Sequence, residues 1–121
     1  MNSRLLASIK SNDLSAAAER RVSERKLCRV SALLHVEGYG AMRVKTVDLS
    51  MKGAAFLLAI ALPCRTACDL RFHLHVNGLL RPFAARVEIS NSVFLCSDVR
   101  VGCRFLSLDD VSRKTLQDFL R

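Results

Sequence analysis

The 121-residue chain contains no tryptophan and few other aromatics, six phenylalanines and one tyrosine. Most of these rings fall at core-facing positions, so the stacking platforms on which single-strand nucleic-acid binders lay bases are not evident. Its cysteines are an odd set (Cys28, Cys64, Cys68, Cys96 and Cys103) with no C-x-x-C spacing. That pattern suits reduced thiols and a cytoplasmic setting better than a disulfide framework. Long hydrophobic runs are missing too. The longest uncharged stretch, Gly53 to Cys64, is too short for a membrane span and contains Pro63 near its end. Residues 1–12 hold Arg4 and Lys10 but neither an apolar run nor a small-residue cleavage pattern, so no secretory leader is expected.

The chemistry of catalysis is equally absent. No nucleophile–base pair, Gly-rich phosphate loop or spaced carboxylate pair stands out, so no catalytic residue is assigned and an enzyme is not expected. Cys64-x-x-x-Cys68 lies near His73 and His75. On a strand, however, Cys68 faces away from both histidines, and no metal site is expected. Acids are scarce: 11 Asp and Glu stand against 19 Lys and Arg, for a formal charge of +8. Such a surface attracts anions, but its charge does not separate a phosphorylated ligand from nucleic acid or an acidic membrane.

What is present is enough for one domain. Half of the residues are apolar, and a chain of this length buries roughly two-thirds of its unfolded surface. Residues 1–19 read as an N-terminal extension, a helical or flexible arm whose large apolar residues are only Leu5, Leu6, Ile9 and Leu14. From Lys26 the pattern turns to period two, with Cys28, Val30, Ala32, Leu34 and Val36 on one face. Gly38-Tyr39-Gly40 supplies a turn, a second strand follows over 41–47, and Ala54 to Leu58 reads as a buried strand. Cys68, Leu70, Phe72, Leu74 and Val76 alternate up to Asn77-Gly78, a strong hairpin signal. The return strand presents Phe83, Ala85, Val87 and Ile89, and the next presents Val99, Val101, Cys103 and Phe105. Ser107 is the expected cap of a terminal helix, with Leu108, Val111, Leu116, Phe119 and Leu120 forming its apolar stripe. The sequence predicts a mainly β domain: six antiparallel strands in a closed or nearly closed barrel, then a C-terminal α-helix.

Two stretches depart from this background. One is the basic run Arg20-Arg21-Val22-Ser23-Glu24-Arg25-Lys26-Leu27-Cys28-Arg29. The other is the polar turn Asp48-Leu49-Ser50-Met51-Lys52-Gly53. Together they resemble the PilZ family, whose signature pairs R-x-x-x-R before the first strand with [DN]-x-S-x-x-G between two later ones. Arg25 to Arg29 carries the first motif and Asp48 to Gly53 the second. Arg21 to Arg25 also satisfies R-x-x-x-R, although the run into the strand favours Arg25 and Arg29. Val101-Gly102-Cys103-Arg104-Phe105 and the helix after it look like the family's closing segment, so the resemblance covers about 20–121.

The resemblance implies a PilZ-type barrel that receives cyclic di-GMP as its ligand, with no other cofactor. It implies ligand contacts from Arg25, Arg29, Asp48, Ser50 and Gly53, with Arg20, Arg21 and Arg104 as further basic candidates. Guanidinium groups suit this molecule, since each can fork onto a phosphate or a guanine edge. Asp48 and Ser50 would meet the guanine edge, Leu49 would point to the core, and Gly53 would permit the tight turn. The expected partners are the nucleotide and a separate, unidentified effector protein, with neither DNA nor a membrane span. The alternatives are a nucleic-acid-binding small barrel and a PilZ-like interaction module without ligand.

Overall fold

The computed structural model describes residues 24–121, so the readings for residues 1–19 and for Arg20 and Arg21 lie outside the described residues. Its elements are β1 (Lys26–Leu27), β2 (Ser31–Val36), β3 (Gly40–Leu49), β4 (Gly53–Leu58), β5 (Ala67–Val76), β6 (Leu79–Phe94), β7 (Val99–Leu108) and α1 (Asp110–Leu120). The strand order is β1-β3-β2-β5-β6-β7-β4, all antiparallel, and β3 pairs again with β4. That second pairing closes β2 to β7 into a six-stranded barrel, with β1 attached outside on β3. Closure leaves the six barrel strands without a free edge.

Period-two alternation sends one face of each strand inward, as the sequence predicts. Leu34, Val36, Phe56, Leu70, Leu74, Val87 and Val101 are almost fully buried. Each such side chain contributes about 1.5–3 kcal/mol on leaving water. His73 and His75 face outward while Cys68 is buried on the inner face. Asn77 (φ 52°) and Gly78 (φ 81°) form the expected left-handed pair between β5 and β6. Burial raises the thiols of Cys28 and Cys68, and it pushes Cys103 up to about 12. These three cysteines are therefore inert packing groups near neutral pH.

Three details differ from the sequence reading. The first predicted strand is broken at 28–30, leaving β1 and β2 as separate pieces. Ser107 does not cap the helix, because Ser107 and Leu108 extend β7 by pairing with Arg86 and Ala85. Asp109 is the cap instead, accepting from the Ser112 amide at 2.7 Å. Val111, placed in the apolar stripe, is 64% exposed, while Ser112 and Thr115 are buried beside Leu116. The Ser112 hydroxyl accepts from the Ala84 amide at 3.0 Å and docks the helix on β6. No helix among the described residues is long and apolar enough to cross a membrane.

The far end of α1 is held by charge. Asp118 takes Arg81 at 2.9 Å and Lys114 at 3.1 Å, and the Arg81 hydrogen bond foremost holds its carboxyl below the ordinary value of 3.8. A carboxyl lowered in the folded state stabilises the fold above its unfolded value, and the benefit is lost as pH falls through the folded value. The urea midpoint of the wild-type protein should therefore fall on acidification below pH 3.8. Asp118→Asn should lower the midpoint at neutral pH and flatten this acid limb. An identical acid limb in the variant would show that the cluster is energetically idle.

Candidate functional site

The site is assembled where the chain enters the barrel and where β3 turns into β4. Residues 28–30 are kinked over Thr46, a side chain only 1% exposed. Its hydroxyl donates to the Cys28 carbonyl and accepts from the Val30 amide at 2.9 Å. Backbone bonds from Cys28 to Val47 and from Thr46 to Val30, both 2.9 Å, complete the clamp. The kink sets the positions of Arg25 and Arg29 on either side of β1. Thr46 carried no signal in the sequence, since a threonine in a strand is ordinary.

Asp48 is the centre of the charge arrangement. Its side chain is 10% exposed and bridges two guanidinium groups, Arg25 at 2.9 Å on Oδ1 and Arg100 at 3.2 Å on Oδ2. The two arginines are 56% and 46% exposed, which leaves donors on each facing water. Leu49 is fully buried, as expected. Ser50 is 2% exposed, and its hydroxyl accepts from the Lys52 and Gly53 amides, each at 3.2 Å. The serine therefore pins the turn that ends β3 beside Asp48.

Gly53 is demanded by a neighbour rather than by the turn. It lacks the positive φ found at Gly38, Gly40 and Gly78. A Cβ at this position would stand 2.0 Å from the Cys103 carbonyl oxygen and 3.0 Å from the Arg104 Cα. The expectation that Gly53 serves a tight turn is corrected on this point: its missing side chain lets β4 close on β7. Arg104 lies beside Gly53 in register, but its side chain pairs with Glu88 at 2.9 Å on the β6 side.

Arg29 is exposed and has no ion pair among the described residues. It borders a groove of about 810 Å³ on the outside of β3 and β4, lined also by Arg43, Lys45, Leu57, Leu95 and Arg100. Arg100, which sequence reading did not single out, belongs to both the groove and the Asp48 bridge. The groove is concave, with Arg29, Arg43, Lys45 and Arg100 around an apolar strip and one carboxylate, Asp98, in its lining.

These features define the class, a closed β-barrel with arginines gathered around an acidic residue where the chain enters it. The PilZ domain model matches residues 19–121. The chain belongs to the PilZ domain family.

Solved structures with the same fold include the Bacillus subtilis inhibitor of motility MotI/DgrA, at a TM-score of 0.70 and 12% identity, covering 79% of this chain and 47% of that one. The Borreliella burgdorferi PlzA protein in complex with c-di-GMP has a TM-score of 0.63 and 14% identity, with 93% and 46% covered. Escherichia coli YcgR in complex with c-di-GMP has a TM-score of 0.60 and 17% identity, with 81% and 43% covered. The chain thus spans less than half the length of each of these proteins. A search of curated proteins gave no match.

Two substitutions probe this construction. Gly53→Ala should destabilise the protein by about 1–3 kcal/mol or more, because backbone cannot move aside as a side-chain tip would. Thr46→Val should cost about 1–3 kcal/mol by leaving the Cys28 and Val30 backbone groups unpaired. Chemical denaturation measures both, and a Gly53→Ala midpoint equal to wild type would refute the crowding at β7.

Proposed function

We propose that this protein is a non-catalytic receptor for cyclic di-GMP that changes conformation on binding and signals to a separate effector protein. The observation that carries this reading is the convergence of Arg25 and Arg100 on Asp48 beside the unpaired Arg29, at the mouth of the β3–β4 groove. Family membership supports it, as do two structural relatives solved with that nucleotide.

The proposed mechanism is an exchange of partners. A phosphate of the ligand takes Arg29 and competes with Asp48 for Arg25. Asp48, relieved of one guanidinium, then accepts from the N1–H and N2 donors of a guanine. Arg100 stays to balance the carboxylate or forks onto a phosphate or base edge. Leu57 and Leu95 offer apolar surface to the base faces. Ser50 and Gly53 act by holding the turn and the seam that aim Asp48. Arg104 adds positive potential while tied to Glu88, and Arg20 and Arg21 add charge to the entering arm.

The Arg25 guanidinium is 56% exposed although Asp48 is nearly buried, so a phosphate can reach it from solvent while Arg100 stays on the carboxylate. Ordering of the arm around the ligand gives free and bound forms different surfaces, and an effector can discriminate between them.

Titration calorimetry with cyclic di-GMP is the direct test. Arg25→Ala, Arg29→Ala and Arg100→Ala should each weaken binding by about tenfold to a hundredfold, the loss of one charge-assisted contact of about 1.5–3 kcal/mol. Arg21→Ala should bind nearly as wild type, which decides between the overlapping R-x-x-x-R registers. The slope of log affinity against log salt should be about −2 or shallower, whereas a nucleic-acid groove with six or more phosphate contacts would give a slope beyond about −5. Full affinity in Arg29→Ala would sink the assignment.

A further inference from the structure

Beyond the nucleotide groove the barrel carries a second uncompensated cationic face. The registers of β3, β2, β5 and β6 place Arg43, Leu33, Arg71 and Ala84 side by side in one cross-strand row. The inward neighbours of this row, Ala32, Leu34, Leu70 and Phe72, are buried, so the row itself faces out. Adjacent strands lie about 4.8 Å apart, which sets the Arg43 and Arg71 backbones roughly 10 Å apart with Leu33 between them. Leu33 is 51% exposed. The first turn of α1 stands beside the row with Val111 and borders a cavity of about 420 Å³ whose lining reaches the edges of Phe72 and Phe83.

Charge at this face is left unanswered. Arg86 and Arg104, elsewhere on the barrel, are paired with Asp69 and Glu88. Arg43 and Arg71 have no acidic partner among the described residues. Asp109 is the one carboxylate lining the cavity, and it is bonded to the Ser112 amide. His73 adds a further polar edge opposite Pro82. Arg43 and Ser31 also line the nucleotide groove, so the two concavities share a wall.

We infer that the face built from Arg43, Leu33, Arg71 and Val111 is the docking surface for an acidic, leucine-bearing segment of the effector protein. An aliphatic side chain seats on the exposed Leu33 and Val111, and carboxylates on either side meet the two arginines. Charge complementarity selects an acidic partner, and the apolar centre selects a polypeptide over a phosphate backbone. Phe72 and Phe83 are only 5% and 2% exposed, so neither is available to stack a base. This deepens the receptor reading by naming where the signal leaves. The wall at Arg43 is where an occupied nucleotide groove alters the affinity for the segment.

The test uses the full chain and a fluorescein-labelled peptide of Glu-Glu-Leu repeats, with a Lys-Lys-Leu peptide as its charge-reversed control. Fluorescence polarisation should report binding of the acidic peptide only. Arg71→Glu should weaken it by about tenfold or more, and Leu33→Ser or Val111→Ser by several-fold. Far-ultraviolet circular dichroism and the thermal midpoint should confirm that each variant is folded. The same variants should keep wild-type affinity for cyclic di-GMP in calorimetry. Peptide binding indifferent to Arg71→Glu and Leu33→Ser, or abolished by Arg29→Ala, overturns the proposal. So does tighter capture of a labelled single-stranded oligonucleotide at the same residues, or a concentration-dependent dimer that Leu33→Ser dissolves. If the wild-type protein binds the acidic peptide at this face but not the nucleotide, the docking surface stands and the receptor reading falls.

Discussion

The approach of β4 to β7 fixes the geometry on which everything at the site rests. A six-stranded sheet can curl into a barrel only if its last edges meet, and here β4 must pair with β3 on one side and β7 on the other. At Gly53 the β7 backbone is so close that no side chain fits, and the Ser50 hydroxyl gathers the amides of the same turn. This seam holds Asp48 at the end of β3 and brings Arg100, 52 positions away in sequence, within reach of its carboxylate. A wider seam would leave the barrel open and separate the acid from that arginine.

The electrostatics of the molecule follow from which cations that geometry can satisfy. With 11 acids against 19 Lys and Arg, not every basic side chain can be paired one to one. The available carboxylates are spent selectively, Asp69 on Arg86, Glu88 on Arg104 and Asp118 on the helix end. Among the described cations left without an ion pair, Arg29, Lys45, Arg43 and Arg71 line adjoining concavities of the outer wall, while Lys52, Arg65 and Arg113 lie elsewhere. Asp48 sits at the edge of these concavities, where its two arginines are both exposed enough to trade partners. Because both cations are exposed, the proposed exchange of partners requires no charge to cross the core.

Much of the barrel was legible because alternation is a direct record of burial on a strand. Cys68 to Val76 with Asn77-Gly78 could hardly be read otherwise, and the order and spacing of the two motifs identified the turn that carries Asp48. Three things were hidden for physical reasons. The break at 28–30 costs no core contact, since Cys28 within it and Ala32 after it stay buried, and only Thr46 reveals it. The cap moved from Ser107 to Asp109 because two more ladder pairs with β6 outcompete an earlier helix start. Arg100 could not be singled out, as its role depends on cross-strand register and not on local pattern. The helix stripe misplaced Val111 for a related reason: α1 lies across strand ends and packs through Ser112, Thr115 and Leu116, so part of its apolar face lies beside the outer wall instead of the core.

One connection joins the arm to the helix and gives the proposed signal a physical route. Lys26 lies between the two arginines in sequence, and its ammonium donates to the Phe119 carbonyl at 2.8 Å while standing 4.5 Å from the centre of that ring. A cation at a helix C-terminus meets the unsatisfied carbonyls and the negative end of the dipole, and the aromatic face adds to the attraction. Any backbone displacement of Arg25 in the proposed exchange is passed to Lys26, the residue next to it in the chain. That displacement loads the Lys26 contact and therefore the last turn of α1, whose first turn stands beside the second cationic face. The arm, the helix and the outer wall are thus mechanically adjacent although they are distant in sequence. Thr46 is the fixed point of this linkage: its hydrogen bonds hold the backbone at 28–30 to β3, so the proposed movement would fall on the stretch that carries Arg25 and Lys26 and not on the barrel.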